Sequence, residues 1–147
     1  MNLILVLAAL VIGIALPLQA GINTELRAWL GHPLQAAFLS FTVGTLFLFV
    51  LVLALRLGWT PQRPMGEAPW WIWLGGLLGV LYVSMTIVLA PRLGAATMLS
   101  AAMAGQMIGS LAMDHYGIVG FAVRSISAGR VAGAVLLLAG VLLINRG

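Results

Sequence analysis

Apolar side chains fill nearly every position of this chain up to residue 24, and the first charge is Glu25. The pattern then repeats. Charge-free stretches cover residues 33–55, 68–91, 93–113 and 131–145. A helix needs about 20 apolar residues to cross the hydrocarbon core of a bilayer. The first four stretches meet that length. The fifth, VAGAVLLLAGVLLIN, is short, but residues 127–129 extend it, and Arg130 and Arg146 reach the headgroups by snorkelling. The pattern predicts an all-α integral membrane protein. Its five transmembrane helices fall at about residues 2–24, 33–56, 69–90, 94–115 and 128–145, and make one membrane domain over 1–147. Connections fall near 25–32, 57–68, 91–94 and 116–127. The one substantial polar loop is LGWTPQRPMGEAP, flanked by Trp59, Trp70, Trp71 and Trp73 in the manner of interfacial aromatics. The first stretch also resembles a signal peptide, with LQA before Gly21 as a cleavage site. It lacks a basic leading segment and flows into further spans, which favours a retained helix.

Composition strengthens this picture. The chain is 63% hydrophobic and 7% charged, against about 25% charged in soluble domains. Seven arginines are scattered singly, with no Lys, so no basic patch offers a nucleic-acid footprint. There is no Cys, and the two histidines, His32 and His115, have no metal-ligand partner at helical spacing. No nucleophile–base set and no phosphate loop is visible. The expectation is a non-enzyme without cofactor or metal, multi-pass in the membrane and surrounded by lipid.

Charge also bears on orientation. With the N-terminus inside, the inner side holds Arg56, Arg63, Arg124 and Arg130, and the outer side Arg27, Arg92 and Arg146. Four against three hardly selects a direction. Either the count is noise in a small protein, or the chain inserts both ways and pairs as an inverted homodimer. Small residues suggest a meeting face. Gly129, Gly133 and Gly140 lie close to one side of the last helix, and Gly75–Gly79 and Gly105–Gly109 repeat the four-residue spacing.

Polar residues at membrane depth are the candidates for function. Gln19 and Asn23 are four apart behind Pro17, so they share one helix face. Pro17 also frees the carbonyl near Gly13. One reading is a hydrated cavity face; the other is a helix that ends here with Asn23 and Thr24 capping it in the headgroups. Gln106, in line with Ser110 and Asp114, is the best-placed mid-membrane polar residue, with an interhelical hydrogen bond as the plainer role. Tyr82 offers a ring and a hydroxyl to a ligand. Ser40, Thr42, Ser84 and Thr86 rank behind, since hydroxyls often bond their own helix. Of these Ser40 joins Gln19, Asn23, Gln106 and Tyr82 as a candidate substrate contact. Asp114 and His115, at a helix end, are expected to pair with Arg124 or Arg130.

The motifs PLQAGIN, SFTVG, WWIWLGG, LAPRLGAAT, AGQ and DHYG, in this order, resemble those of the YdcZ-like branch of the drug/metabolite transporter superfamily, nearly end to end. The resemblance implies a five-helix unit working as an inverted two-fold pair. The last-helix glycines are also similar to the dimerising motif of small multidrug resistance proteins, which couple to protons through a glutamate deep in their first helix. Here that zone holds Gln19 and Asn23, with Glu25 further along. Proton-coupled export of cationic drugs therefore does not carry over. The expectation is a transporter of a small polar or amphipathic solute in a bacterial inner membrane. The alternative is a non-transporting subunit that packs through its glycine faces.

Overall fold

The computed structural model describes residues 3–58 and 60–146; Trp59, one of the expected interfacial aromatics, lies outside the described residues. Among the described residues there is no strand. Five helices are long and apolar enough to cross a membrane. They are α1 (Leu3–Leu30), α2 (Pro33–Ala54), α3 (Leu74–Leu93), α4 (Ala95–Tyr116) and α5 (Ala128–Arg146). A 3-10 turn, Trp70–Trp73, leads into α3.

Two ends differ from the sequence expectation, for physical reasons. The first helix does not stop near 24. Glu25 and Arg27 are good helix formers and end nothing by being charged. At 28 residues, α1 is about 42 Å long, longer than the roughly 30 Å hydrocarbon core, so its last turns reach the headgroup zone. What stops it is Gly31, whose φ of 83° suits glycine. His32 then caps α2 by accepting the Leu34 amide on Nδ1 at 3.2 Å, and Pro33 occupies the first turn. The connection over 25–32 thus shrinks to two residues. Likewise α3 does not stop at 90. It runs through Pro91 to Leu93, and Gly94, with φ 81°, separates it from α4.

α2 ends in a Schellman motif. The Leu57 amide donates to Val52 and the Arg56 amide to Leu53, both at 3.0 Å. Arg56 sits at the left-handed position with φ 51°, where glycine is the usual occupant.

The residues group into two units, one up to Pro91 and one from Arg92 onward. In the first, α1 packs along α2, and Ala36, Ala37, Val83 and Ile87 form a buried cluster against which Leu26 and Tyr82 pack. Alanine at 36 and 37 lets neighbouring helices approach closely, the main source of packing energy when the solvent is lipid. In the second unit α4 packs against α5. The loop between them is tied down at its base. Asp114 accepts from Arg130 at 3.3 Å, and its own carbonyl accepts the Arg124 amide at 2.7 Å. Arg130 also donates to the Arg124 carbonyl at 3.2 Å, and His115 Nδ1 accepts the Ile126 amide at 3.4 Å. The expected ion pair at this helix end forms between Asp114 and Arg130, whereas His115 takes a backbone amide in place of an arginine.

Candidate functional site

Helix periodicity puts Gln19, Asn23 and Arg27 on one stripe of α1, each about one turn, or 6 Å, from the next. The three meet different surroundings. Gln19 faces α2, where Ser40, Gly44 and Leu48, with Phe41 and Thr45 beside them, complete a pocket of 250 Å³. Gly44 leaves open space where any side chain would intrude. Two of the expected contacts, Gln19 and Ser40, are therefore brought to one concavity. Its volume lies just under the range for drug-sized ligands. The polar groups are an amide and hydroxyls, and no acid or base lines it.

Asn23 shares the stripe but not the pocket. It is 3% exposed, and its Nδ2 has no hydrogen-bond partner. The capping reading fails, because α1 continues past it to Leu30. Thr24 donates to the Ala20 carbonyl at 2.8 Å instead of capping. Ser84 of α3 has the same condition: 4% exposed, with an unpartnered Oγ. Unpaired buried polar groups cost about 1–3 kcal/mol each, so two in one helix bundle are an anomaly that asks for a cause.

One turn beyond Asn23, Arg27 donates from Nη1 to the carbonyl of Ile87 at 3.3 Å. Within α3 that carbonyl would take the amide of residue 91, but residue 91 is proline and has no N–H. Ile87 is fully buried, so water cannot substitute. The guanidinium supplies the missing donor from another helix, a charge-assisted bond worth about 1.5–3 kcal/mol. Sequence reasoning passed over Arg27 in this role. The signal was available in part: a proline inside a span marks a carbonyl four residues back that needs a donor.

The remaining candidates are dispersed. Tyr82 is half-buried against the Ala36–Ile87 cluster. Gln106 belongs to the second unit, is exposed, and has no hydrogen bond among the described residues. The polar stripe expected below it is spent locally: Ser110 donates to the Met107 carbonyl at 2.9 Å, and Asp114 pairs with Arg130. Thr42 and Thr86 also bond their own helices, at 2.9 and 2.8 Å. On α5, Gly129, Gly133 and Gly140 have open space at the position of a side chain, and no residue of the helix is buried. No group of His, Asp or Glu suited to a metal occurs among the described residues.

Five helices long and apolar enough to cross a membrane, with a small pocket between α1 and α2, define a multi-pass integral membrane protein. A family model described as "Putative inner membrane exporter, YdcZ" matches residues 4–143. The chain is also 32% identical to the inner membrane protein YdcZ of Escherichia coli (strain K12), over 99% of this chain and 98% of that protein. The chain belongs to the YdcZ family. It is thus an inner-membrane protein and, in general terms, a membrane transporter; the family is not a class of enzymes. No solved structure matches it.

Proposed function

We propose that the chain carries a small, uncharged or anionic polar solute across the membrane by alternating access, working as an inverted homodimer. The observation that carries this reading is the pocket where Gln19 of α1 meets Ser40 and Thr45 of α2. Polar groups facing a concavity at membrane depth are costly in lipid and are retained for function. Amide and hydroxyl groups exchange hydrogen bonds with a solute in place of water, and no carboxylate in the pocket singles out a cation. The near balance of arginines and the open glycine face of α5 support an antiparallel pair, with Gly129, Gly133 and Gly140 at its interface. In such a pair Gln106 and Tyr82 would join the solute path.

A thermal-shift screen of the purified protein against small polar metabolites tests the pocket. A hit is then titrated against Gln19→Ala, Ser40→Ala and Gln106→Ala. Loss of one hydrogen-bonding group weakens binding by about 1–3 kcal/mol, or roughly fivefold to over a hundredfold. Melting temperature should move little, since water refills an open pocket.

The bare surface of α5 also suits the second reading, a non-transporting subunit that packs against a partner. That reading gains if the variants melt far lower yet bind the hit normally.

A further inference from the structure

The two unpartnered groups and the proline-freed carbonyl lie at adjacent levels of the same pair of helices. Arg27 meets Ile87. One turn back on α1 is Asn23, and one turn back on α3 is Ser84. One span separates α1 from α3, so they cross the membrane in the same direction and their turns run level. A further turn back on α1 is Gln19, at the pocket. From the end of α1 inward the order is a guanidinium, the buried groups Asn23 and Ser84, and then an open pocket with an amide and hydroxyls in a mostly apolar wall.

Unpaired buried polar groups are unfavourable, and hydration relieves them. The bond from Arg27 to Ile87 joins α1 to α3 one turn beyond them, at a carbonyl that Pro91, four residues on, leaves without its intrahelical donor. A residue with an N–H at 91 would bond Ile87 within α3 and share that acceptor with Arg27, so the carbonyl would no longer depend on the guanidinium. Arg27 spends one Nη1–H here and keeps its other donors for the groove of 380 Å³ that it lines with Thr24, Ala28 and Gly31.

We propose that the Arg27–Ile87 bond is the latch of a gate between α1 and α3. Opening it hydrates Asn23 and Ser84 and joins the Arg27 groove to the Gln19 pocket. The proposal rests on the transport reading and assigns the closed end of that path. It also assigns the charge preference at the gate, since the stripe Gln19–Asn23–Arg27 carries donors and a positive charge and no acid. Anionic and neutral solutes with acceptor atoms pass; cations are repelled by the guanidinium.

The chain has no cysteine, so single-cysteine accessibility is a clean test that needs neither solute nor transport. It can fail while the pocket reading stands, and the reverse. Ser84→Cys puts a near-isosteric thiol at this buried level of the full-length protein in vesicles. With the latch intact it should react slowly with charged methanethiosulfonate reagents. Two substitutions act on the latch by different routes: Arg27→Met removes the donor, and Pro91→Ala gives the carbonyl a competing intrahelical donor that weakens the bond. Arg27→Met should speed the reaction at least about tenfold, the effect of losing one charge-assisted hydrogen bond on the open population, and Pro91→Ala should speed it by a smaller factor. With Pro91→Ala, which keeps Arg27, the anionic reagent should outpace the cationic one by about threefold or more; with Arg27→Met that preference should vanish. Unchanged rates in both variants, or a cation preference with Pro91→Ala, overturn the proposal.

Discussion

The two units differ in where their polar groups sit. In α1–α3 the small residues Ala36 and Ala37 are at 0% and 1% exposure, covered by their own neighbours. The amide of Asn23, the hydroxyl of Ser84 and the carbonyl of Ile87 are enclosed with them. In α4–α5 Met98 and Ala104 are buried, but Gln106 is exposed, and α5 has no fully buried residue although it packs along α4. The first unit encloses unpaired polar groups among its own helices. The second presents a mid-membrane amide and the glycines of α5 outward, the kind of surface a membrane helix offers to another helix. Under the proposed function, the first unit holds the solute pocket and the second the pairing surface.

The sharpest test of that contrast is a matched pair of truncations. Ile87→Ala empties a fully buried site and should destabilise by about 2–5 kcal/mol. Leu142→Ala, on a residue 61% exposed, should stay within about 0.5 kcal/mol, since lipid fills the space. Chemical unfolding in mixed micelles reads both, and equal losses would dissolve the contrast.

Next in size is assembly. Gly133→Leu or Gly140→Leu should shift dimer toward monomer, by about 1–2 kcal/mol if a close helix contact is lost. Melting of the chain itself should hardly change, because no other helix stands within 4 Å of either added Cβ. Single-molecule photobleaching in liposomes counts the copies, and labelling of a lone cysteine from both membrane faces reports whether they are inverted. Unaltered dimerisation in both variants removes these glycines from the interface; labelling from one side only removes the inverted pair.

Asp114→Asn should cost less. The ion pair with Arg130 is about 30% exposed on each side, so screening leaves roughly 0.2–1 kcal/mol. The effect should shrink in high salt. The smallest effect is a gain: Arg56→Gly should add up to about 1 kcal/mol, because φ 51° in the Schellman cap suits glycine better than arginine. A fall in melting temperature would mean that the arginine side chain, at the membrane surface, outweighs the backbone.

How far these features are legible in the sequence depends on whether they are local. The five helices follow from apolar runs that only a membrane can solvate. Glu25 looks like a boundary in the sequence, whereas the helix yields only to Gly31 and Pro33. The shared face of Gln19 and Asn23 is a matter of helix period and was readable. Their different fates were not, because they depend on where α2 and α3 pass. Ser40 could be ranked as a candidate, but not Gly44 or Thr45, whose part in the pocket exists only once α2 lies along α1. Arg27 is the clearest case. Pro91 announces a free carbonyl at Ile87, but the donor comes from 60 residues away, and nothing local names it.

The claim on which the rest depends is that Gln19 faces a hydrated path rather than lipid. Leu18, its neighbour, is 64% exposed and points about 100° around the helix, and Gln19 is exposed as well, so exposure alone does not separate them. Gln19→Cys and Leu18→Cys, each the only cysteine in the chain, can be treated in intact and in inverted inner-membrane vesicles with a membrane-impermeant maleimide. The account predicts that the thiol at 19 reacts from at least one side and outpaces the thiol at 18 by about tenfold or more, because only the former meets water that can ionise it. Equal, negligible labelling of both from either side would place Gln19 in lipid or dry protein and contradict the account.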